Sequence, residues 1–141
     1  MAKRFRFRLE KVLQYRDSIK TEKKRDLAVA NMVLNQETSL LEKLQQALLK
    51  NEMAAQGVLS AGEVALFAQY SVRLRAEIEH QKESVERAQE AADEAREIYI
   101  AAARDAESLE RLKEKKKEEY LEYLQKEEEK FLDELTIQRT G

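Results

Sequence analysis

Residues 56–63, with the sequence QGVLSAGE, contain the two internal glycines of a 141-residue chain that has no proline. Gly57 can end a helix in a left-handed conformation. Ser60 followed by Glu63 has the spacing of a capping box that opens a new helix. A connection this short makes the two flanking helices antiparallel neighbours. The sequence therefore predicts an all-α fold, an antiparallel coiled-coil hairpin with its turn at about residues 56–61.

Both arms of this hairpin carry an apolar stripe with the 3.5-residue period of a coiled coil. The stripe before the turn contains Leu9, Leu13, Leu27, Ala30, Leu34, Leu41, Leu44 and Leu48. The stripe after the turn contains Val64, Phe67, Leu74, Ile78, Val85, Ala88, Ala92, Ala95, Tyr99, Ala102, Ala106 and Leu109, interrupted by Ser71 and Gln81. The small alanines in the middle predict that the helices approach each other closely.

The two arms have different lengths. We expect a single domain over residues 1–141, with helix 1 at about 7–55 and helix 2 at about 62–138. Pairing across the turn leaves helix 2 without a neighbour from about residue 112, so the second helix overhangs the first. This overhang still carries an apolar stripe of Tyr120, Leu124, Phe131 and Leu135. A lone helix with such a stripe needs a partner in water.

Charge is plentiful but unevenly distributed along the chain. Charged residues make up 38% of the sequence and aromatic residues 6%, and the net charge is −2. Residues 1–25 hold ten Lys or Arg against three Asp or Glu, a local charge of +7, so we expect an acidic partner surface or nucleic acid there. Residues 53–72 carry one charge, that of Glu63. The tip of the hairpin is therefore nearly uncharged, which favours a contact with another protein there.

The inventory of chemical groups argues against an enzyme. The chain has no Cys and one His, which excludes zinc fingers and thiol catalysis. Glu77-x-x-His80 matches half of a di-iron motif, but that site needs two such motifs together with further carboxylates, and the single His of the chain allows only one. We therefore expect no catalytic residue, cofactor or metal. The basic runs are not part of a recognised nucleic-acid-binding module, so we expect no nucleic acid partner. No stretch of 18 apolar residues is present, which predicts a cytoplasmic protein without membrane insertion.

The opening residues resemble those of a known family. Phe5-x-Phe7-x-Leu9-x-x-Val12-Leu13-x-x-Arg16 is similar to the start of the flagellar FliJ family, and Tyr70-x-x-x-Leu74-x-x-x-Ile78 after the turn is similar too. The resemblance covers the whole chain, and the N-terminal motif is its most specific part. Members are components of the bacterial flagellar type III protein export apparatus, so the resemblance implies a role in flagellar assembly and motility.

The family resemblance also implies partners and contact residues. It implies a stalk-like coiled coil that binds the hexameric export ATPase, promotes its assembly and activity, and links it to the export gate membrane protein. Export chaperones are further partners of some members. The chain would then lie at the cytoplasmic face of the inner membrane. The ATPase contacts would be Phe5, Phe7, Leu13, Arg16, Tyr120, Leu124 and Phe131. The gate contacts would be Tyr70, Leu74, Ile78 and Gln81.

Much of the gate-contact set lies at seam positions of the predicted coiled coil. Either the heptad frame shifts there or these residues do not form the gate contact. Two other functions also remain open. One is a holdase resembling prefoldin, although a short turn cannot hold the β-hairpins that prefoldin subunits need for assembly. The other is a self-associating structural coiled coil.

Overall fold

The structure, a computed structural model, describes residues 4–57 and 60–140. Two helices account for nearly all of this chain. Helix α1 runs from Glu10–Ala55 over 46 residues, and α2 runs from Ala61–Thr140 over 80 residues. The two helices pack against each other, which confirms the predicted all-α hairpin. The chain divides into two compact units: unit 1 combines residues 4–22 with 100–140, and unit 2 contains 23–99 apart from 58 and 59.

Helix α1 begins three residues later than the sequence pattern suggested. The backbone N–H of Glu10 donates to the carbonyl of Phe7 at 3.1 Å, and the N–H of Leu13 donates to Leu9 at 2.9 Å. Residues 4–7 before this turn are not helical. Their side chains alternate between exposed and half-buried, the period of an extended chain. The apolar residues at 5, 7 and 9 follow a two-residue period, which explains why the helix starts after them.

The turn differs from the predicted one in its backbone conformation. Gly57 does not adopt the left-handed conformation that we expected, because its φ is not positive. The end of α1 instead tightens: Gln56 N–H donates to Met53 at 3.3 Å and Gly57 N–H to Ala54 at 3.2 Å. These bonds span three residues, the spacing that commonly satisfies carbonyls at a helix end. The helix can therefore end here without the special freedom of glycine.

Ser60 caps the start of α2 as the sequence predicted. Its hydroxyl oxygen accepts a hydrogen bond from the backbone N–H of Glu63 at 3.2 Å, and its carbonyl accepts one from Val64 at 3.1 Å. The hydroxyl satisfies one of the N–H groups that a helix start leaves unpaired. Such a cap contributes about 1 kcal/mol to helix stability.

Unit 2 is held together by the predicted seam. The side chains of Leu74, Ile78, Ala88 and Ala92 are buried, and Ala92 has no exposed surface. The seam leucines of α1 in this unit are half-buried, namely Leu27, Leu34, Leu41, Leu44 and Leu48, whereas Leu40 beside the seam is exposed. The alanines allow the short interaxial distances that small contact residues permit. The heptad frame read from the sequence therefore runs through this unit without a shift.

Two polar residues interrupt the apolar seam of unit 2. Asn51 donates from its amide nitrogen to the carbonyl of Phe67 at 2.9 Å and to the hydroxyl of Ser71 at 2.7 Å. Gln81 donates to both the carbonyl and the carboxylate of Glu37. Both amides are buried, so these bonds offset the cost of removing them from water. A single polar residue in a coiled-coil core is known to specify register.

Unit 1 pairs the start of α1 with the second half of α2. Leu13 is 5% exposed, and Ala102 and Ala106 of α2 are buried with it in the core of this unit. Two ion pairs join the helices beside this core: Arg16 lies 3.5 Å from Asp105 and Lys113 lies 2.9 Å from Glu10. The partner numbers rise along α2 as they fall along α1, so the helices are antiparallel here.

Candidate interaction surfaces

The N-terminal segment of unit 1 lies against α2. The ring of Phe5 packs on Tyr120 with centroids 5.6 Å apart and an angle of 38° between the planes. Phe7 and Leu9 are half-buried in the same segment, whereas Arg4, Arg6 and Arg8 are exposed. The segment thus turns its apolar side chains inward and its arginines outward. α2 has a neighbour as far as Tyr120, further than the residue 112 expected for the start of the overhang.

The seven candidate ATPase contacts all belong to unit 1 but differ in exposure. Leu13 is buried in the helix contact, and Arg16 is ion-paired with Asp105 across it. Phe5, Phe7, Tyr120 and Leu124 are half-buried, and Phe131 is 60% exposed. Leu13 therefore serves the fold, while Phe131 presents its side chain to solvent.

A basic groove lies beside the N-terminal segment. It has a volume of about 750 Å³ and is lined by Phe5, Arg6, Phe7, Arg8, Glu10, Lys11, Gln14, Lys113 and Lys117. Its single carboxylate, that of Glu10, has one oxygen buried and paired with Lys113. Among the described residues, no carboxylate forms an ion pair with the other four cations of the groove. The groove therefore presents positive charge to solvent over a floor that contains two aromatic rings.

The end of α2 exposes large apolar side chains. Beyond Tyr120, more than half of the side-chain surface is exposed at Leu121, Tyr123, Phe131 and Leu132. These residues are separated by acidic ones, including Glu127, Glu128 and Glu129. The four apolar side chains point to different sides of α2, but Phe131 shares one face with Tyr120, Leu124 and Leu135, and an apolar stripe of this kind is typical of a surface that a partner covers.

The four candidate gate contacts belong to unit 2 and are mostly internal. Leu74, Ile78 and Gln81 are 3%, 6% and 7% exposed, and they hold α2 against α1. Only Tyr70 is exposed. It lies beside an apolar hollow of about 420 Å³ whose other lining residues are Asn51, Glu63, Leu66 and Phe67. A partner that approaches this face meets Tyr70 and Leu66 before it meets the other three.

Two features of these surfaces were not found from the sequence. Asn51 was not recognised as a core residue, although continuing the heptad spacing of Leu44 and Leu48 would have placed it at the seam. The ion pair of Glu10 with Lys113 was missed because pairing across the turn was expected to stop at about residue 112.

The described residues offer little for chemistry or for membrane insertion. In residues 4–57 and 60–140, no three His, Cys, Asp or Glu side chains are grouped so that they could hold a metal ion. His80, half of the Glu-x-x-His motif, is exposed. Neither helix, over its described length, contains an 18-residue window apolar enough to cross a bilayer.

Comparison with known proteins identifies the family. No curated protein and no solved structure matches the chain. A model of the family described as flagellar FliJ protein matches residues 5–141, essentially the whole chain. The match begins at Phe5, the first residue of the N-terminal motif. The chain therefore belongs to the flagellar FliJ protein family, whose members are non-catalytic components of the flagellar export apparatus.

Proposed function

We propose that this chain is a stalk-like component that binds the export ATPase ring through unit 1 and promotes the ring's assembly and activity. The observation that carries this proposal is the apolar stripe at the end of α2, formed by Tyr120, Leu124, Phe131 and Leu135, in which Phe131 is 60% and Leu135 38% exposed. Burying such side chains gives roughly 25 cal/mol per Å² of apolar surface, which favours association with a partner. Membership of the FliJ family supports the choice of the export ATPase as that partner, because the family belongs to the flagellar export apparatus.

The candidate ATPase-contact residues have two different roles in this proposal. Phe131 and Leu124 reach the partner directly in this proposal. Leu13 acts through the fold, because it is buried between the helices. Phe5 and Tyr120 contact each other and so join the N-terminal segment to α2. The proposal therefore needs the N-terminal motif for the shape of unit 1 as well as for contact.

We extend the proposal to the export gate through unit 2. Tyr70 and Leu66 are exposed beside an apolar hollow, in a stretch with one charge between residues 53 and 72. A nearly uncharged surface of this kind favours contact with another protein, because little charge has to be desolvated. Leu74, Ile78 and Gln81 would support this contact by holding α2 in place. Through these two contacts the chain would act at the cytoplasmic face of the inner membrane.

The test is ATP hydrolysis by the export ATPase of the same organism, with and without this chain. We expect the chain to increase the rate, and we expect Phe131→Ser combined with Leu132→Ser to remove most of the increase. Val29→Ser combined with Met32→Ser is a matched control, because both side chains are exposed on unit 2. Full stimulation by the Phe131 and Leu132 variant would show that the end of α2 does not contact the ring.

A second experiment tests the gate contact independently of the ATPase. The cytoplasmic domain of the gate protein is immobilised, and binding of this chain is measured with Tyr70→Ala combined with Leu66→Ala. We expect weaker binding without a change in helix content, because both side chains are exposed. Unchanged binding would remove the gate contact from this face of unit 2.

A further inference from the structure

The basic groove of unit 1 has a geometry that selects one kind of ligand. Its exposed arginines belong to a segment in which alternate side chains point outward. Arg6 lies in the non-helical segment and Arg8 in the turn that leads into α1, so the distance of about 6.6 Å between alternate side chains of an extended chain is close to the upper limit for this pair. Four residues of an α-helix rise about 6 Å. Carboxylates one turn apart on a helix therefore match the spacing of consecutive outward arginines, and Arg binds a carboxylate through two parallel hydrogen bonds.

We propose that this groove binds a short acidic helical segment of the protein partner, with carboxylates at i and i+4 and an apolar side chain between them. The cations available to it are Arg6, Arg8, Lys11 and Lys117. Lys113 is already paired with Glu10. Phe5 and Phe7 form the floor on which the apolar side chain packs. This inference rests on the proposed function in one respect, since the acidic segment is assigned to the ATPase ring.

The surroundings of the groove argue against other polyanions. The rings of Phe5 and Phe7 are half-buried, and Phe5 packs on Tyr120, so their exposed parts can contact one apolar side chain but not a run of successive bases. Directly after Lys117, α2 carries exposed Glu118, Glu119 and Glu122. A continuous anionic surface such as a bilayer or a long nucleic acid would meet these carboxylates and be repelled. The limited length of the positive surface suits a segment of two or three helical turns.

The direct test uses the full chain and a synthetic helical peptide with Glu at every fourth position and Leu between them. Binding is followed by fluorescence anisotropy of the labelled peptide. We expect the peptide to bind, a scrambled peptide of the same composition to bind more weakly, and affinity to fall with added salt. Arg6→Glu combined with Arg8→Glu should weaken binding about tenfold, since each exposed pair accounts for roughly threefold.

Matched controls make the peptide test decisive. Arg96→Glu combined with Arg104→Glu changes the net charge equally, and both residues are exposed on α2 outside the groove. An equal loss of binding in this control would overturn the proposal, because peptide binding would then depend on the net charge of the chain and not on the groove. A single-stranded oligonucleotide or a phosphatidylserine vesicle that binds as tightly as the peptide would also overturn it. So would a peptide that does not bind.

The ATPase assay separates this inference from the proposed function. If the unmodified chain does not stimulate hydrolysis, the proposed function fails, whereas the peptide result still decides whether the groove binds acidic helices. If the unmodified chain and the Arg6 and Arg8 variant stimulate equally, the proposed function stands and the groove has no part in it. We expect stimulation by the Arg96 and Arg104 variant and loss of stimulation by the groove variant.

Discussion

Leu13 offers a direct test of whether a family motif residue serves the fold or the partner. Leu13→Ala removes about three carbon atoms from a side chain that is 5% exposed. At ~0.8 kcal/mol for each buried carbon, the free energy of unfolding falls by about 2.4 kcal/mol. This value lies near the lower end of the range of roughly 2–5 kcal/mol measured for such changes in protein cores. We expect the lower end because water can enter a contact between two helices.

The assay is urea unfolding followed by circular dichroism, with amide hydrogen exchange in the paired part of α2 as a local measurement. With an m-value of ~2 kcal/mol/M, the midpoint falls by about 1.2 M urea. Exchange should accelerate most around Ala102 and Ala106, which share the core of unit 1 with Leu13. Val12→Ala is the neighbouring control, since that side chain is 41% exposed and its loss should cost much less.

Two results would refute this reasoning about Leu13. A midpoint shift below about 0.3 M would mean that the side chain is not packed as described. A loss of ATPase stimulation in conditions where the variant remains fully helical would mean that Leu13 contacts the ring directly. The second result would return the residue to the set of partner contacts.

Three further predictions concern the helix contacts. Ala92→Leu should destabilise the chain by ~1–3 kcal/mol in urea unfolding, because the site has no exposed surface, whereas exposed Ala91→Leu should change little. Asn51→Leu should raise the melting temperature, because it replaces a buried amide with an apolar side chain. It should also add a second set of amide peaks in the NMR spectrum, because loss of the amide loosens the register of α1 against α2. A single set of peaks would contradict this prediction. Arg16→Ala should cost less than about 1 kcal/mol, since its pair with Asp105 is exposed, so a loss of ATPase stimulation would then reflect partner contact.

The fold could be predicted from the sequence because the heptad period of the apolar residues agrees with the helix-end signals in residues 56–63. Of the positions assigned to the second-arm seam, those from Phe67 to Leu109 are buried or half-buried, whereas Val64 at its start is 52% exposed; the predicted cap at Ser60 is present. Helix α1 begins at Glu10 and not at about residue 7, because a two-residue period of apolar residues competes with the heptad frame up to Leu9. Local periodicity decides what a helix buries, but it cannot say where a non-helical segment packs.

The candidate surfaces could be predicted only in part. Residues assigned by family resemblance fall into one unit for the ATPase and one for the gate, but the resemblance did not distinguish buried residues from exposed ones. Leu74 and Ile78 show why: a motif records which positions are constrained, and packing between helices constrains a residue as strongly as a partner does. Exposure separates the two roles, and it depends on the neighbouring helix, which a motif read along one helix does not contain.

The two turn glycines have a practical consequence. A Cβ atom added at Gly62, in the first turn of α2, would meet nothing within 4 Å, and one added at Gly57 would meet only a carbonyl at an ordinary 3.8 Å. The chain has no cysteine, so Gly62→Cys would carry the only thiol. A single maleimide dye could be attached there without disturbing either helix. The turn can therefore hold one fluorophore for distance or rotation measurements while the chain is bound to its partners.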